Sequence, residues 1–100
     1  MFGKKKDSVK TVYVSNDCVG IYSIKDIPAN QFGPILYAKN NDVAIRQYQN
    51  ILAKGKFDGE KQKEQLGYNP FSENDYCLYC LGVIDLSNGE ISPNVEEVAL

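Results

Sequence analysis

One pair of residues in this chain has a spacing that metal and redox sites use, Cys77-Leu-Tyr-Cys80. Both cysteines fall in an apolar stretch that predicts a β-strand, where side chains three positions apart point to opposite faces. At about 3.3 Å per residue their Cα atoms would lie about 10 Å apart, beyond the roughly 7 Å that a disulfide spans. The chain has no histidine, and Cys18 alone cannot complete a four-ligand metal shell. We therefore expect a buried strand here in preference to a metal or redox site, and no cofactor.

Groups for catalysis are scarce as well. Without histidine, the commonest general base near neutral pH is missing. Gly55 and Gly59 lack the preceding strand and the Gly-Lys-Ser/Thr that a phosphate-binding loop requires. Asp75 and Asp85 flank a strand at a spacing that defines no metal site. We expect the protein not to be an enzyme.

The charges of the chain are divided between its two ends. All eleven Lys and Arg residues lie in residues 1–63 together with six acids, which gives that part a charge of +5. Residues 64–100 hold seven acids and no base, which gives −7 there and a net charge of −2. Such asymmetry indicates a nucleic-acid surface or an acidic tail. The alternative is a solvated surface whose oppositely charged halves attract each other, and the composition leaves both open.

Cations and aromatic rings alternate in one segment of the chain. The segment contains Lys54, Lys56, Phe57, Lys61, Lys63 and Tyr68. Ammonium groups can meet phosphates while rings stack on bases, so this mixture suits a nucleic-acid strand. In the alternative interpretation the aromatics attach a loop to the core, and Glu60 and Glu64 dilute the positive charge.

A small single domain has to position these residues. One hundred residues, 43% of them hydrophobic, suit one folded domain with one modest core. No apolar run approaches the roughly 20 residues that span a bilayer, and no secretory signal is recognisable at the start, so we expect a cytosolic protein. We predict a flexible basic tail at residues 1–10, the domain at 11–92 and an acidic C-terminal tail at 93–100.

Strand patterns occur in the first part of the domain. Thr11–Val14 and Val19–Ile24 are β-branched and aromatic runs separated by a turn sequence, which predicts a hairpin. Two prolines punctuate the connection that follows. Ile35–Ala38 then predicts a short strand.

The strongest strand pattern is Tyr76–Leu86, which is apolar on both faces. That pattern is typical of a central strand that is covered on both sides, and in so small a domain it favours self-association. Ser87-Asn-Gly-Glu90 predicts a two-residue hairpin turn. A short return strand follows, which we expect Pro93 to end.

One helix is predicted, with Asn41 or Asp42 as its N-cap and Gly55 as its stop. Its apolar side chains form a stripe about 120° wide at 100° per residue, which must pack on a sheet. The stripe consists of Ala44, Ile45, Tyr48, Ile51 and Leu52. Lys56–Asn74 is predicted to be a long polar connection with room for a helical turn around Glu60–Leu66. Together the elements predict an α+β fold, a small mainly antiparallel β-sheet with one principal amphipathic helix packed on it.

Several spaced blocks of the sequence carry a family resemblance over roughly residues 21–92. The blocks are Tyr22-Ser-Ile-Lys-Asp26, Phe32-Gly-Pro34, Ala38-Lys-Asn40, Ala44-Ile-Arg46 with Tyr48, Asp75-Tyr76, Leu81-Gly82, Asp85 and Gly89. In their order and spacing the chain resembles the small nonstructural protein of gokushoviruses, single-stranded-DNA phages of the Microviridae. Residues 1–20 look like an extension ahead of the usual start of that family.

The resemblance implies a nonstructural DNA-binding protein. Its role would be to help turn phage genome replication toward single-stranded synthesis and packaging, in the cytoplasm of the bacterial host. The expected partner is DNA, single-stranded in preference to double-stranded. Phage replication or capsid proteins and a homo-oligomer are the further candidates. No membrane partner is expected.

Together the charge pattern and the resemblance predict sequence-tolerant DNA binding without catalysis. The cations expected to contact phosphates are Lys4, Lys5, Lys6, Lys10, Arg46, Lys54, Lys56, Lys61 and Lys63. Phe57 and Tyr68 are the candidates for stacking on bases. The rival hypothesis is an assembly or adaptor protein that binds viral or host proteins without touching DNA, and the two-faced strand and negative net charge favour it.

Overall fold

A computed structural model describes residues 17–100 of the chain. Four strands and one long helix follow in the order β1 (Cys18–Asp26), β2 (Gln31–Ala38), α1 (Asn41–Leu66), β3 (Tyr76–Asp85) and β4 (Ile91–Glu97). A single 3-10 turn at Glu73–Asp75 precedes β3. The strands form one antiparallel sheet in the order β2-β1-β3-β4, and this confirms the predicted α+β fold.

Strand β1 lies in the middle of the sheet. It pairs with β2 along one edge and with β3 along the other. The predicted strand at Val19–Ile24 is therefore correct, but its observed neighbours are β2 and β3. The predicted partner Thr11–Val14 and the basic tail at residues 1–10 lie outside the described residues.

Strand β2 confirms the prediction at Ile35–Ala38 but begins earlier, at Gln31. Pro34 lies inside it, where sequence reasoning expected a connection. A proline is tolerated here because β2 is an edge strand, with one side of its backbone unpaired.

The hairpin of β3 and β4 confirms the predicted central strand and the predicted hairpin, but its loop has four residues, 86–89, in place of the predicted two. Gly89 has a φ of 78°, which favours glycine, and the Asp85 amide donates to the Glu90 carbonyl at 2.8 Å where the strands close. The prediction that Pro93 ends the return strand is wrong. Pairing continues to Glu97 opposite Tyr79, because β4 is an edge strand and an edge proline need not remove a ladder hydrogen bond.

The predicted acidic tail at 93–100 is consequently not a tail. Residues 93–97 belong to β4, and the next side chain, Val98, is buried in the core. The Val98 amide also donates to the Leu78 carbonyl at 2.9 Å. Burial of one apolar side chain and a backbone hydrogen bond hold this end of the chain on the sheet.

Helix α1 begins one or two residues earlier than predicted, and its C-cap lies twelve residues later, at Gly67 in place of Gly55. Its N-cap is Asn40, whose Oδ1 accepts a hydrogen bond from the Val43 amide at 3.0 Å. Its last residue is Leu66, and Gly67, with a φ of 82°, caps it through a hydrogen bond to the Lys63 carbonyl at 2.7 Å. The predicted connection over Lys56–Asn74 is therefore wrong in its first half, which is helical.

Gly55 and Gly59 do not stop the helix because they serve as contact points for the returning chain. A Cβ atom at Gly55 would lie 2.7 Å from the Phe71 ring, and one at Gly59 would collide with the amide oxygen of Asn69. The two glycines lie one turn apart, so residues 69–71 pack directly against the helix backbone. Two hydrogen bonds from the Asn69 side-chain amide, to the Lys56 carbonyl and to Glu60, hold this contact.

The core lies between the first half of α1 and one face of the sheet. Its buried members are Tyr22, Ala38, Ala44, Tyr48, Leu78 and Val98. The Tyr48 hydroxyl donates to the Tyr76 carbonyl at 3.0 Å and the Tyr22 hydroxyl to Asn41 Oδ1 at 2.8 Å, so the helix is attached to β3 and β1. Of the predicted apolar stripe, only Ile51 is exposed. No helix within residues 17–100 combines the length and the hydropathy needed to cross a bilayer.

Candidate nucleic-acid interface

Four of the predicted DNA-contacting residues lie on one side of α1, which we call the outer stripe. They are Arg46, Lys54, Phe57 and Lys61, all exposed. At 100° per residue they occupy an arc of roughly 80° opposite the core residue Tyr48. Sequence periodicity can group them only if the helix continues past Gly55, as it does here.

The cations of the outer stripe are evenly spaced along the helix. At 1.5 Å per residue, Arg46 and Lys54 are about 12 Å apart and Lys54 and Lys61 about 10 Å apart along the axis. Phe57 lies between the two lysines with 62% of its surface exposed. The Lys61 Nζ is 4.6 Å from the centroid of the Phe57 ring, a cation–π contact. Glu64, one turn further on the same side, ends the cationic part.

One ion pair lies within the stripe. Lys54 Nζ is 3.1 Å from Asp58 Oδ2, and the two side chains are 76% and 46% exposed. A solvated pair four residues apart in a helix contributes only about 0.3–0.5 kcal/mol. A phosphate can therefore replace Asp58 as the partner of Lys54 at little cost. Arg46 and Lys61 take part in no ion pair with any residue of the described part.

The remaining predicted residues do not join the outer stripe. Lys56 and Lys63 lie about 120–140° around the helix from its centre, on the side where residues 69–71 pack. Tyr68 follows the helix cap and is 60% exposed. Lys4, Lys5, Lys6 and Lys10 are outside the described residues.

A second cation–aromatic cluster, absent from the predicted set, lies on the other side of the sheet. The Phe32 and Tyr79 rings meet edge to face with centroids 5.2 Å apart, and Lys25 Nζ is 5.6 Å and 5.7 Å from them. Lys25 pairs with Phe32 across β1 and β2. Sequence reasoning missed the cluster because it assigned Phe32 to a connection. Alternation along β1 and β2 would have found it once β2 began at Gln31.

The cysteines occupy opposite faces of β3, as predicted. Cys77 is opposite Lys25 on the face turned away from the helix, and Cys80 is opposite Tyr22 on the core side. Burial, and then the charge of Glu97, raises the pKa of the Cys77 thiol, and Lys25 offsets part of this rise. Within residues 17–100 no three Cys, Asp or Glu side chains are grouped closely enough to hold a metal ion.

Asp85 has a structural role at the β3–β4 turn. Its Oδ1 accepts hydrogen bonds from the Ser87 hydroxyl at 2.6 Å and from the Ser87 amide at 2.9 Å. These two bonds lower the pKa of Asp85 below its usual value. The Asp85 carboxylate therefore stabilises the turn of the hairpin to which it belongs.

Of the comparisons with known proteins, one matches most of the chain. No curated protein and no solved structure matches it significantly. A family model described as "Phage ORF5 protein" matches residues 19–100, which include all four strands except the first residue of β1, and the whole of α1. The match extends past the predicted limit at residue 92 to the last residue. The chain therefore belongs to the Phage ORF5 protein family and is a phage protein.

Proposed function

We propose that this phage protein is a non-catalytic DNA-binding protein that contacts a single strand through the outer stripe of α1. The observation that supports this most directly is the alignment of Arg46, Lys54 and Lys61 with an exposed Phe57 on one helix side. The ammonium and guanidinium groups contact phosphates, and the ring stacks on a base. Neither contact depends on the base sequence of the DNA.

A single strand fits this surface better than a duplex does. The bases of a duplex are stacked on each other, so their faces are closed to Phe57. In a single strand each base can stack on an aromatic ring, which contributes about 1–3 kcal/mol per base. The stripe is also convex, and a flexible strand can follow it.

The affinity is expected to be moderate and dependent on salt. Three cations on the stripe give at most three phosphate contacts, and each contact lowers the slope of log affinity against log salt by about 0.7 for a single strand. We therefore expect a slope of about −2. The net charge of −2 opposes non-specific attraction at longer range.

The phage family and the resemblance to gokushovirus nonstructural proteins together support a proposed biological role. Coating of newly made single strands by this protein in the bacterial cytoplasm would keep them from being copied back into duplex. The protein would thereby favour the change from replication to single-stranded genome synthesis and packaging.

The alternative is an assembly or adaptor protein that binds replication or capsid proteins and no DNA. The apolar sheet face that carries Ile35 and Tyr37 favours it, because both side chains are about half exposed and suit a protein contact. The two functions differ in their response to salt, since apolar contacts do not weaken as salt rises.

Fluorescence anisotropy on labelled oligonucleotides of equal length tests the proposal. Single- and double-stranded forms are titrated with the full chain at two ionic strengths. We expect tighter binding of the single strand and a loss of affinity with salt at a slope of about −2. No binding at low salt, or binding that salt does not change, would contradict DNA contact through the outer stripe.

A further inference from the structure

The sheet has helix on one face only within the described residues, and the face turned away from α1 is largely apolar. We call it the open face. Its members are identified by strand alternation and register: Val19, Ile21, Ser23 and Lys25 of β1, Phe32, Ile35 and Tyr37 of β2, Cys77, Tyr79 and Ile84 of β3, and Ile91 and Glu97 of β4. The core residues Tyr22 and Leu78 point to the other side.

The apolar side chains of the open face form one continuous patch. Ile21 lies opposite Tyr37, Val19 opposite Ile84, and Ile84 opposite Ile91, so apolar residues are neighbours in register across all four strands. The side chains on the two edge strands are well exposed, with 46% for Ile35, 58% for Tyr37 and 55% for Ile91. A contiguous exposed apolar patch of this kind usually marks an interaction site.

The charges of the open face fit a second copy of the chain better than they fit a nucleic acid. Lys25 and Glu97 are its only charged members, and their charges cancel. A neutral face made mainly of aliphatic side chains offers no partner to a row of phosphates. The same face on a second copy has identical chemistry, and a two-fold dimer is the commonest way for one surface to contact itself.

The size of the face meets the lower bound for a specific dimer. Four strands about 4.8 Å apart and about eight residues long give a face of about 500 Å² per copy. Two such faces would bury about 1,000 Å² or more, which is the lower bound for a specific interface. Packed sheets lie about 10 Å apart and enclose the side chains of both inner faces.

Pairing of sheets edge to edge is less favourable. Both edge strands contain a proline, Pro34 in β2 and Pro93 in β4. Proline lacks the N–H that an added strand needs, and natural proteins use it to protect sheet edges. A second copy therefore approaches the face of the sheet.

We propose that two copies of this chain pack their open faces together into a β-sandwich dimer. The two α1 helices then lie on opposite outer surfaces, and the outer stripes face away from each other. Such a dimer presents two strand-binding surfaces at once. The dimer itself rests on the open face alone and does not depend on DNA binding.

Sedimentation equilibrium of the full chain across the micromolar range tests the proposal. We expect a dimer of twice the 11.2 kDa chain mass. Ile35→Glu places a charge in the proposed interface and should give a monomer. Ile51→Glu is the matched control, because Ile51 is 44% exposed on α1 and Ile35 is 46% exposed on the open face. The control should remain a dimer. Circular dichroism checks the fold of both variants, and Ile91→Glu carries the test on the other edge strand if Ile35→Glu unfolds.

Alkylation of the unmodified chain gives a test that needs no variant. Cys77 lies on the open face and Cys80 on the core side, so Cys80 is an internal control. We expect alkylation of Cys77, relative to Cys80, to slow as the protein concentration rises. A chain that is monomeric at every concentration would overturn the proposal, and Cys77 that is protected in that monomer would indicate cover by residues 1–16 of the same chain. A dimer that persists in folded Ile35→Glu and Ile91→Glu would also overturn it.

Discussion

The Lys61 ammonium group lies over the Phe57 ring, 4.6 Å from its centroid and four residues further along α1. This contact holds a cation and an aromatic ring side by side on the exposed side of the helix. A nucleic-acid strand presents a matching pair of groups, because each of its phosphates lies next to a base. The relationship is therefore a small unit of the proposed interface, and Arg46 and Lys54 extend it along the helix.

The first prediction concerns the stacking role of Phe57. Phe57→Ala should weaken single-strand binding by about 1–3 kcal/mol, or about 5- to 150-fold, because one base loses its stacking partner. Tyr68→Ala is the matched control, since Tyr68 is 60% exposed and Phe57 is 62% exposed, but Tyr68 lies off the outer stripe. Anisotropy at one fixed salt concentration measures both. Equal losses in the two variants would show that the outer stripe has no special part in binding.

The second prediction concerns the contact between Gly59 and Asn69. Gly59→Ala should destabilise the protein by about 1–3 kcal/mol, because the added Cβ atom collides with the Asn69 side chain. In an Asn69→Ala background the same change should cost less, because the collision with Asn69 is gone and only the Phe71 Cβ atom, 3.1 Å from the added Cβ atom, stays close. Alanine is also favoured over glycine in a helix by about 1 kcal/mol. Urea denaturation of the four proteins measures the cycle. If Gly59→Ala has the same effect in both backgrounds, the close packing is not what keeps glycine there.

The third prediction concerns Tyr22 at high pH. Burial, and then the neighbouring Cys80, raises the pKa of Tyr22 from 10.0 to about 12. The folded state therefore holds this proton more tightly than the unfolded state does. The resulting stability is fully present below pH 10 and is lost as the pH rises through 12. Tyrosinate absorbance should show a late titration, and Tyr22→Phe should remove part of it, since burial also raises the pKa of Tyr48.

Tyr22→Phe also deletes the hydrogen bond to Asn41, so we expect it to cost about 0.5–1.5 kcal/mol at neutral pH. Urea denaturation measures this cost. A late tyrosine titration that survives unchanged in Tyr22→Phe would assign the raised pKa to another residue.

The fourth prediction concerns the β3–β4 turn at low pH. Two hydrogen bonds from Ser87 lower the pKa of Asp85, so the folded state favours the ionised carboxylate. Their stabilisation is present above the usual pKa of 3.8 and is lost as the pH falls through the lowered value. Ser87→Ala removes the hydroxyl bond and should raise the pKa of Asp85, as measured by NMR titration of its carboxyl carbon.

Asn88→Ala is the control for this turn. It removes the hydrogen bond from the Glu90 amide to Asn88 Oδ1 in the same loop and leaves both bonds to Asp85 in place. The pKa of Asp85 should therefore stay low in this variant. An equal rise in both variants would mean that general loosening of the turn, and not the Ser87 hydroxyl, sets the pKa.

Local patterns in the sequence were sufficient to predict the elements that depend only on residues close together in the chain. The apolar content of Tyr76–Leu86 and the apolar periodicity of Ala44–Leu52 each act within a few residues, and both predictions are confirmed. The hairpin at Asn88-Gly89 is confirmed as well, with a four-residue loop in place of the predicted two-residue turn. The observed N-cap is Asn40, where the sequence predicted Asn41 or Asp42. All three side chains are suitable helix caps, so the prediction missed by only one or two residues.

Two of the errors have causes that are distant in the sequence. Gly55 was predicted to end the helix because glycine weakens a helix. Only the packing of Phe71, sixteen residues later, makes glycine favourable at this position inside α1. Pro93 reads as the end of a strand because a proline inside a sheet costs a hydrogen bond, and only the position of β4 at the edge removes that cost. The outer stripe was not predicted as a unit because Gly55 was taken as the end of the helix. Its residues align only on a helix of full length.

The most direct test of DNA binding by the outer stripe compares two double charge reversals of equal net charge. Arg46→Glu with Lys61→Glu changes the stripe, and Lys56→Glu with Lys63→Glu changes the other side of the same helix. We expect the first pair to weaken single-strand binding about tenfold or more and to reduce the salt slope by about 1.4, since two phosphate contacts are lost. The second pair should change affinity by about twofold at most, through the weaker long-range effect of net charge. Equal losses in the two variants, or an unchanged salt slope in the first, would contradict the assignment of the interface to the outer stripe.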